Sequence, residues 1–256
     1  MRIDLNADLG EGFGAYSYGA DEELLTLVTS ANIACGWHGG DPSVIRRAVR
    51  TARENGVVIG AHPGYPDRMG FGRREMKLSR QEVIDGMLYQ LGALSGICRA
   101  EGVQISYVKP HGALYNAGNR DHALAEAIVE AVRLYDESIT LLCPAGGALA
   151  TAAAKAELKT AAEFFADRAY RDDGSLQPRG LPGAVIEDFD TVCRRVLQAV
   201  KEESVRTVEG TVIPIHADSI CLHGDNPEAV LLAQQIRERL SDVGIVFRSF
   251  ADDEDR

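Results

Sequence analysis

The sequence lacks the features that mark several common classes of protein. No run approaches the roughly 18 apolar residues of a membrane-spanning helix. The five cysteines are odd in number and widely spaced, with no CxxC pair, so neither a disulfide framework nor a cysteine zinc site is predicted. The first residues, MRIDLNADLGEGFG, are charged and glycine-rich, unlike a signal peptide. These absences predict a protein of the reducing cytoplasm.

Positive charge is also in short supply. Lysine and arginine number 27 against 38 aspartates and glutamates, which gives a formal net charge of -11 and a pI near 5.0. Such a chain has no general attraction to nucleic acid or to an anionic membrane, so we expect neither as a partner. A local basic pocket for an anionic substrate remains compatible with this balance.

Familiar catalytic and nucleotide-binding motifs are missing as well. The glycine-rich stretch GEGFG has neither P-loop nor dinucleotide spacing, and no Walker motif is visible. No GxSxG motif predicts a serine hydrolase. Histidines with a carboxylate could bind Zn²⁺ or another divalent metal ion, but no HxxxH or HxH spacing supports a tight site. We therefore expect weak or absent stoichiometric metal.

Short apolar runs instead alternate with amphipathic, helix-like stretches along the whole chain. The runs are continuous and show little alternation, which is typical of parallel strands buried on both faces. The predicted strands are RIDLN, ANIAC, VVIGA, ISYVK, ITLLC, TAAEFF, SICLH and GIVFRSF. The sequence therefore belongs to the α/β class.

The βα repeat predicts one barrel domain over residues 1–250. About seven units without a Pro/Gly/Ser-rich linker favour a TIM-like (β/α) barrel, seven-stranded and distorted, with a doubly wound open sheet as the alternative. Residues 205–217 interrupt the repeat and are predicted to form a hairpin or an added strand. The acidic tail, residues 251–256, is expected to be disordered.

Ionisable residues collect where the predicted strands end, and in parallel α/β folds ligands bind there. Four of the six histidines lie at such exits, which scattered turns would not explain. Each residue also has a plain structural explanation, such as a cap, a turn, a core histidine or an ion pair between Asp167 and Arg168. The candidate catalytic residues are Asp8, Glu11, His38, His62, Lys109, His111, Glu163, Asp167, Arg168 and His223.

The stretch SYVKPHGALYN carries the strongest local signal. Strand alternation places Lys109 and His111 on one side, Pro110 stiffens the backbone between them, and Gly112 allows a turn. Histidine and carboxylates can act as acid and base, and Lys109 or Arg168 can hold an anion or a developing oxyanion. Attack of water on an amide or ring carbonyl fits this set. We expect Lys109 at a wet mouth, where its substitution would leave folding nearly unaffected.

Six segments spread over nearly the whole chain form a further pattern. They are DLNADLGEGFG, ANIACGWHGGD, IGAHPGYPD, VKPHGALYN, FADRAYRDDGSLQPR and ADSICLHGDNP. Together they resemble the LamB/YcsF lactam-utilisation family, although this family more often has CGFH, with Ala before Gly-Asp, so Trp37 and Gly39 depart from its pattern. The resemblance implies a barrel of the glycoside hydrolase/deacetylase type. It also implies ATP-dependent cleavage of 5-oxo-L-proline to L-glutamate, with ADP and phosphate, alongside partner subunits B and C.

The implied activity gives the residues candidate roles. Arg168 or Lys109 would hold the substrate carboxylate, and His111 or Glu163 would activate water. ATP would serve as co-substrate of the complex by phosphorylating the amide oxygen, and which subunit binds it stays open. Two other functions remain possible: a stand-alone metal-dependent amidase or deacetylase, and a non-catalytic subunit that binds a small acid. Metal analysis, and activity with and without subunits B and C, distinguish the three.

Overall fold

A closed parallel barrel forms the centre of the protein, described here by a computed structural model for residues 1–16, 19–222 and 228–252. Seven strands pair in the order β1-β2-β3-β4-β5-β6-β9, and β9 pairs again with β1 to close the circle. This confirms the predicted seven-stranded (β/α) barrel. The strands are β1 (Arg2–Leu9), β2 (Ser30–Ala34), β3 (Val58–His62), β4 (Tyr107–Val108), β5 (Thr140–Pro144), β6 (Thr160–Phe165), β7 (Ser204–Arg206), β8 (Val212–Pro214), β9 (Ser219–Leu222) and β10 (Val246–Phe247).

Helices surround the barrel and cover its outer face. Asp41 caps α2 through the backbone amides of Ser43 and Val44, and Ser79 forms a capping box with Glu82 at the start of α3, as the sequence predicts. The helices are α1 (Asp21–Leu24), α2 (Pro42–Glu54), α3 (Arg80–Ala100), α4 (Gly112–Gly118), α5 (His122–Tyr135), α6 (Gly147–Lys155), α7 (Phe189–Glu202) and α8 (Ala229–Asp242).

Several elements differ from the prediction. The helix-like stretch EELLTLVTS, which follows the first predicted strand, contributes only to the four-residue helix α1, because Ser30 already belongs to β2. The last predicted strand, β10, pairs with the first residues of β1 and stays outside the barrel circuit. The interrupting segment does form a hairpin, since β7 and β8 pair antiparallel. Residues 253–256 of the expected disordered tail lie outside the described residues.

The barrel has an apolar outside and a polar inside. Along β1, Leu5, Ala7 and Leu9 belong to the hydrophobic core. The alternate positions carry Asp4, Asn6 and Asp8, which bond to side chains of other barrel strands. The expected uniform apolar burial is therefore wrong for the barrel interior.

All five cysteines are free and buried, in agreement with the absence of a disulfide framework. Among the described residues, no helix is long and apolar enough to cross a membrane.

Candidate active site

A buried lysine lies at the centre of the polar interior. Lys109 Nζ is 2.9 Å from Asp8 Oδ1 and 2.8 Å from Glu163 Oε1, and it contacts Cys221 Sγ at 3.1 Å. These partners come from β1, β6 and β9, so the contacts cross the barrel. Burial alone would lower the pKa of Lys109, but Asp8, Cys221 and Glu163 together raise it well above its usual value. Lys109 is therefore a charged ammonium inside the barrel.

This placement corrects the expectation of a solvated lysine. The Lys109 side chain is only 3% exposed, against 11% for Asp8. Removing its charge would leave two carboxylates without compensation, so Lys109 contributes to folding as well as to the site.

Two uncharged side chains orient the carboxylates. Asn32 Nδ2 donates to Asp8 Oδ1 at 2.8 Å, and Tyr115 Oη donates to Glu163 Oε2 at 2.6 Å. Burial first, and then Glu163, raise the pKa of Tyr115 well above its usual value, which keeps the phenol protonated as a donor. Asp8 lies on β1 itself, one residue before its end, and is aligned with Asn32 in the β1–β2 register.

Above this group, two histidines meet edge to edge. His62 Nε2 lies 2.9 Å from His111 Nδ1. The other nitrogen of each ring faces a backbone carbonyl: His62 Nδ1 is 2.7 Å from the Lys109 oxygen, and His111 Nε2 is 2.8 Å from the Phe71 oxygen. His111 is the residue just before α4, and Gly112 has a φ of 52°, with the Gly72 oxygen 2.9 Å from where a Cβ would lie.

A third histidine and a glutamate complete the cluster. His38 Nε2 lies 3.0 Å from Glu11 Oε1, and its ring stacks on His111 with 3.7 Å between centroids. Gly39 matters here because a Cβ would come within 3.1 Å of the Glu11 carbonyl oxygen. Trp37 packs against Tyr89 of α3 instead, so its departure from the family pattern does not alter the cluster.

Two histidines of the cluster, His38 and His111, have lowered pKa values. Burial, and then the neighbouring His111 and His62, lower the pKa of His38 well below its usual value, and burial followed by His62 does the same for His111. Neutral imidazoles can accept a proton or ligate a metal. One ligand atom from each of Glu11, His38, His62 and His111 lies within 4.8 Å of the others, so this set could hold a metal ion.

Another carboxylate, that of Asp4, lies deeper in the barrel. Asp4 accepts hydrogen bonds from the hydroxyls of Ser219, Ser30 and Thr29. Its pKa is raised to about 6, chiefly because burial penalises the charged form. Asn6 joins the two levels, since its Nδ2 donates to Ser219 Oγ at 2.6 Å and its Oδ1 lies 3.4 Å from Lys109 Nζ.

Two of the predicted site residues serve the segment after β6. Arg168 donates to the carbonyl oxygens of Gln177 and Ala184, at 2.7 and 3.2 Å. Burial first, and then Arg179, lower the pKa of Arg168 to about 10, while Asp167 raises it. The predicted candidate His223 lies outside the described residues.

Comparison with known proteins places the chain in a family. Residues 3–255 match the family model described as the LamB/YcsF family. A protein of Pyrococcus abyssi, named as the A subunit of 5-oxoprolinase, is 51% identical over 245 residues, covering 96% of both chains. The chain belongs to the LamB/YcsF family. Another member of that name, from Bacillus subtilis, is 50% identical and covers 96% of this chain and 95% of its own length.

Solved structures support the same placement of this LamB/YcsF protein. A lactam utilization protein from Thermus thermophilus is 46% identical and superposes with a TM-score of 0.93, over 98% of this chain and 100% of its own. A family 4 carbohydrate esterase from Streptomyces lividans, 11% identical, covers 96% of this chain and 91% of its own with a TM-score of 0.52. The second likeness shows a shared barrel fold and nothing about activity.

Several residues of the site in this LamB/YcsF chain were not predicted from its sequence. Asn6 and Asn32 are on strands rather than at their exits, and Cys221 stands in the sequence only as one of five scattered cysteines. The sequence signal that could have identified Asn6 is its position two residues before Asp8 on β1, because residues two apart on a strand point to the same side. Tyr115 lies within SYVKPHGALYN, but nothing in its spacing links it to Glu163.

Proposed function

We propose that this chain is the ring-opening subunit of an ATP-dependent 5-oxoprolinase, which converts 5-oxo-L-proline to L-glutamate together with subunits B and C. The names of the relatives support the reaction and the assembly with other subunits. The observation that carries the proposal is the Asp8 carboxylate, held by Lys109 and Asn32 beside the facing rings of His62 and His111.

Asp8 is the group we assign to water activation. It is more exposed than Lys109 beneath it, and its Oδ1 lies 3.5 Å from His62 Nε2. A lactam is a poor electrophile, so ATP is used in the complex to turn the amide oxygen into a leaving group. Asp8 takes a proton from a water that adds to the ring carbon bearing the phosphorylated oxygen. The proton passes to the ring nitrogen as the C–N bond breaks, which leaves γ-glutamyl phosphate, and a second water cleaves this acyl phosphate to L-glutamate and phosphate. Lys109 holds the Asp8 carboxylate in place from below.

Arg73 is a further candidate for binding the substrate carboxylate. Arg73 is exposed, lies 5.0 Å from the Phe71 ring centroid, and is near enough to His111 to lower its pKa. A cation at that place suits an anionic substrate entering an acidic protein.

The test is ATP-dependent release of glutamate from 5-oxoproline by the complex reconstituted with subunits B and C. We expect Asp8→Asn to lower kcat/KM by about 10²-fold, equivalent to about 2.7 kcal/mol of transition-state stabilisation. The matched control is Asp85→Asn, an exposed carboxylate on α3, which should keep the activity of the parent. Near-parental turnover by a folded Asp8→Asn variant would contradict the role of Asp8.

The same assay tests the need for partners. The purified chain alone should release little glutamate, because its sequence has no recognised nucleotide-binding motif. A stand-alone amidase is the second candidate, and the buried Glu11–histidine cluster is the observation that favours it. Metal-dependent amide hydrolysis without ATP or partner subunits would decide for that alternative.

A further inference from the structure

The hydrogen bonds of two histidines fix where their ring protons lie. His62 Nδ1 and His111 Nε2 each face a backbone carbonyl oxygen, at 2.7 and 2.8 Å, and such an oxygen can only accept. In the neutral rings these two nitrogens therefore carry the hydrogens. His62 Nε2 and His111 Nδ1 are left with lone pairs, and they face each other at 2.9 Å. Two lone pairs at this distance repel unless a cation lies beside them.

Two carboxylate oxygens lie beside the facing nitrogens. Glu11 Oε1 lies 3.4 Å from His111 Nδ1, and Asp8 Oδ1 lies 3.5 Å from His62 Nε2. All four residues are almost fully withdrawn from water, so solvent does little to relieve the repulsion.

The outer bonds of both rings follow the usual arrangement of metal-binding histidines. Such a histidine donates its second N–H to a carbonyl or carboxylate, which sets the tautomer and the ring orientation. The carbonyl oxygens of Lys109 and Phe71 provide this support here. The rings are thus positioned with their free nitrogens already converging.

We propose that His62 Nε2, His111 Nδ1 and Glu11 Oε1 form a three-ligand site for a divalent transition-metal ion of the Zn²⁺ type. Ligands of a tetrahedral zinc ion lie about 3.4 Å apart. The Glu11–His111 separation is already 3.4 Å, and the two histidine nitrogens need to part by a few tenths of an ångström from 2.9 Å. This proposal rests on the cluster alone and is independent of the lactam reaction.

His38 supports the site from outside the ligand set. Its Nδ1 is buried and makes no hydrogen bond within the described part of the chain, and it abuts Gly64, where a Cβ would come within 2.8 Å. The proton therefore belongs on Nε2, which donates to Glu11 Oε1 at 3.0 Å. His38 thus fixes the carboxylate and leaves three protein ligands. One position of a tetrahedral ion stays open, next to Asp8.

Metal binding to the purified chain, first stripped with a chelator, tests the proposal directly. Titration with ZnCl₂ in a calorimeter should show one ion bound per chain. CoCl₂ should give the absorption spectrum of a four-coordinate site with nitrogen and oxygen ligands. Glu11→Gln and His62→Asn should each weaken binding by 10²-fold or more, and His38→Asn by about 10- to 100-fold, the usual effect of a supporting residue.

His216→Asn is the matched control. His216 also lies between two carboxylates, at 3.3 Å from Glu203 and 3.2 Å from Asp218, but on the surface. Its substitution should leave the ion bound at the cluster. Failure of the unaltered, folded chain to bind either metal would overturn the proposal and indicate a proton shared between the two rings. Equal affinity in folded Glu11→Gln or His62→Asn would overturn it as well. If one variant fails to fold, the other and the cobalt spectrum of the unaltered chain still decide.

Discussion

Two carboxylates on one strand, Asp4 and Asp8, have opposite surroundings. Asp4 is fully buried and is bonded to the hydroxyls of Ser219, Ser30 and Thr29. Asp8, four residues later, is bound by the Lys109 ammonium at 2.9 Å. Both side chains have hydrogen-bond donors, but only Asp8 has a full positive charge next to it.

The difference teaches that hydrogen bonding and charge compensation are separate requirements. Hydroxyl donors lower the pKa of Asp4, yet burial outweighs them and the pKa rises to about 6. At Asp8 the lysine provides the countercharge, and the arrangement in turn raises the pKa of Lys109 well above its usual value against the effect of burial. The fold therefore favours the neutral form of Asp4, whereas Asp8 has the Lys109 ammonium as its countercharge.

Removing the positive charge next to Asp8 should have the largest effect on stability. Lys109→Met leaves Asp8 and Glu163 buried without their countercharge, and we expect the free energy of unfolding to fall by about 3–5 kcal/mol. Urea denaturation at neutral pH measures the loss. Lys155→Met is the control, because Lys155 also pairs with a carboxylate, Glu126 at 2.8 Å, but on the surface. That variant should be almost as stable as the parent, and equal losses in both would refute the special role of burial.

The pH dependence of stability tests the surroundings of Asp4. Asp4 has a folded-state pKa of about 6 against 3.8 in the unfolded chain, so the folded chain binds more protons between these values. Its contribution therefore favours folding below about pH 4 and is lost as pH rises through 6, by about 3 kcal/mol. Asp4→Asn removes this loss. Relative to the parent, the variant should gain stability between pH 4 and pH 8.

The measurement is urea denaturation of parent and variant at both pH values. Lowered pKa values of His38 and His111 make acid destabilising, but this effect is common to both chains and cancels in the difference. Asp85→Asn, on the exposed face of α3, controls for the loss of one charge. A parent–variant difference that does not change with pH would show that Asp4 stays ionised in the fold.

The smallest effect on stability is expected from the loss of a neutral hydrogen bond next to Asp8. Tyr107 Oη donates to Asn32 Oδ1 at 2.7 Å, and Asn32 in turn donates to Asp8. Tyr107→Phe removes one neutral hydrogen bond and should lower the free energy of unfolding by about 1 kcal/mol. Tyr89→Phe, on the exposed side of α3, is the matched control and should be neutral. A loss from Tyr107→Phe as large as that from Lys109→Met would mean that geometry, and not charge, dominates this interior.

The barrel could be predicted because its cause is local. Continuous apolar runs separated by amphipathic stretches require a parallel sheet covered by helices, and SICLH and TAAEFF fit this pattern as well as the first strands do. The length of β1 could not be read in the same way. The run RIDLN predicts an end at Asn6, but pairing with β2 and β9 extends the strand to Leu9 and brings Asp8 into it.

Part of the site could be predicted from the sequence, but its geometry could not. Glu11, His38 and His111 follow β1, β2 and β4, and His62 is the last residue of β3, so their ligand atoms meet only when these four strands pair. The spacing of the two histidines along the sequence does not predict that His62 Nε2 lies 2.9 Å from His111 Nδ1. The ligand-binding role suggested for Arg168 stays a prediction, although its guanidinium donates to backbone carbonyls of the same loop.

The five buried thiols are internal probes of how this protein unfolds. Burial raises the pKa of Cys35, Cys98 and Cys143 to about 12, so the reactive thiolate is scarce while the chain is folded. Alkylation by a thiol reagent must then wait for local or global unfolding. Cys221, beside Lys109, would time the loosening of the barrel interior, and Cys193 on α7 that of the outer layer. Peptide mapping of the labelled sites would show which layer opens first.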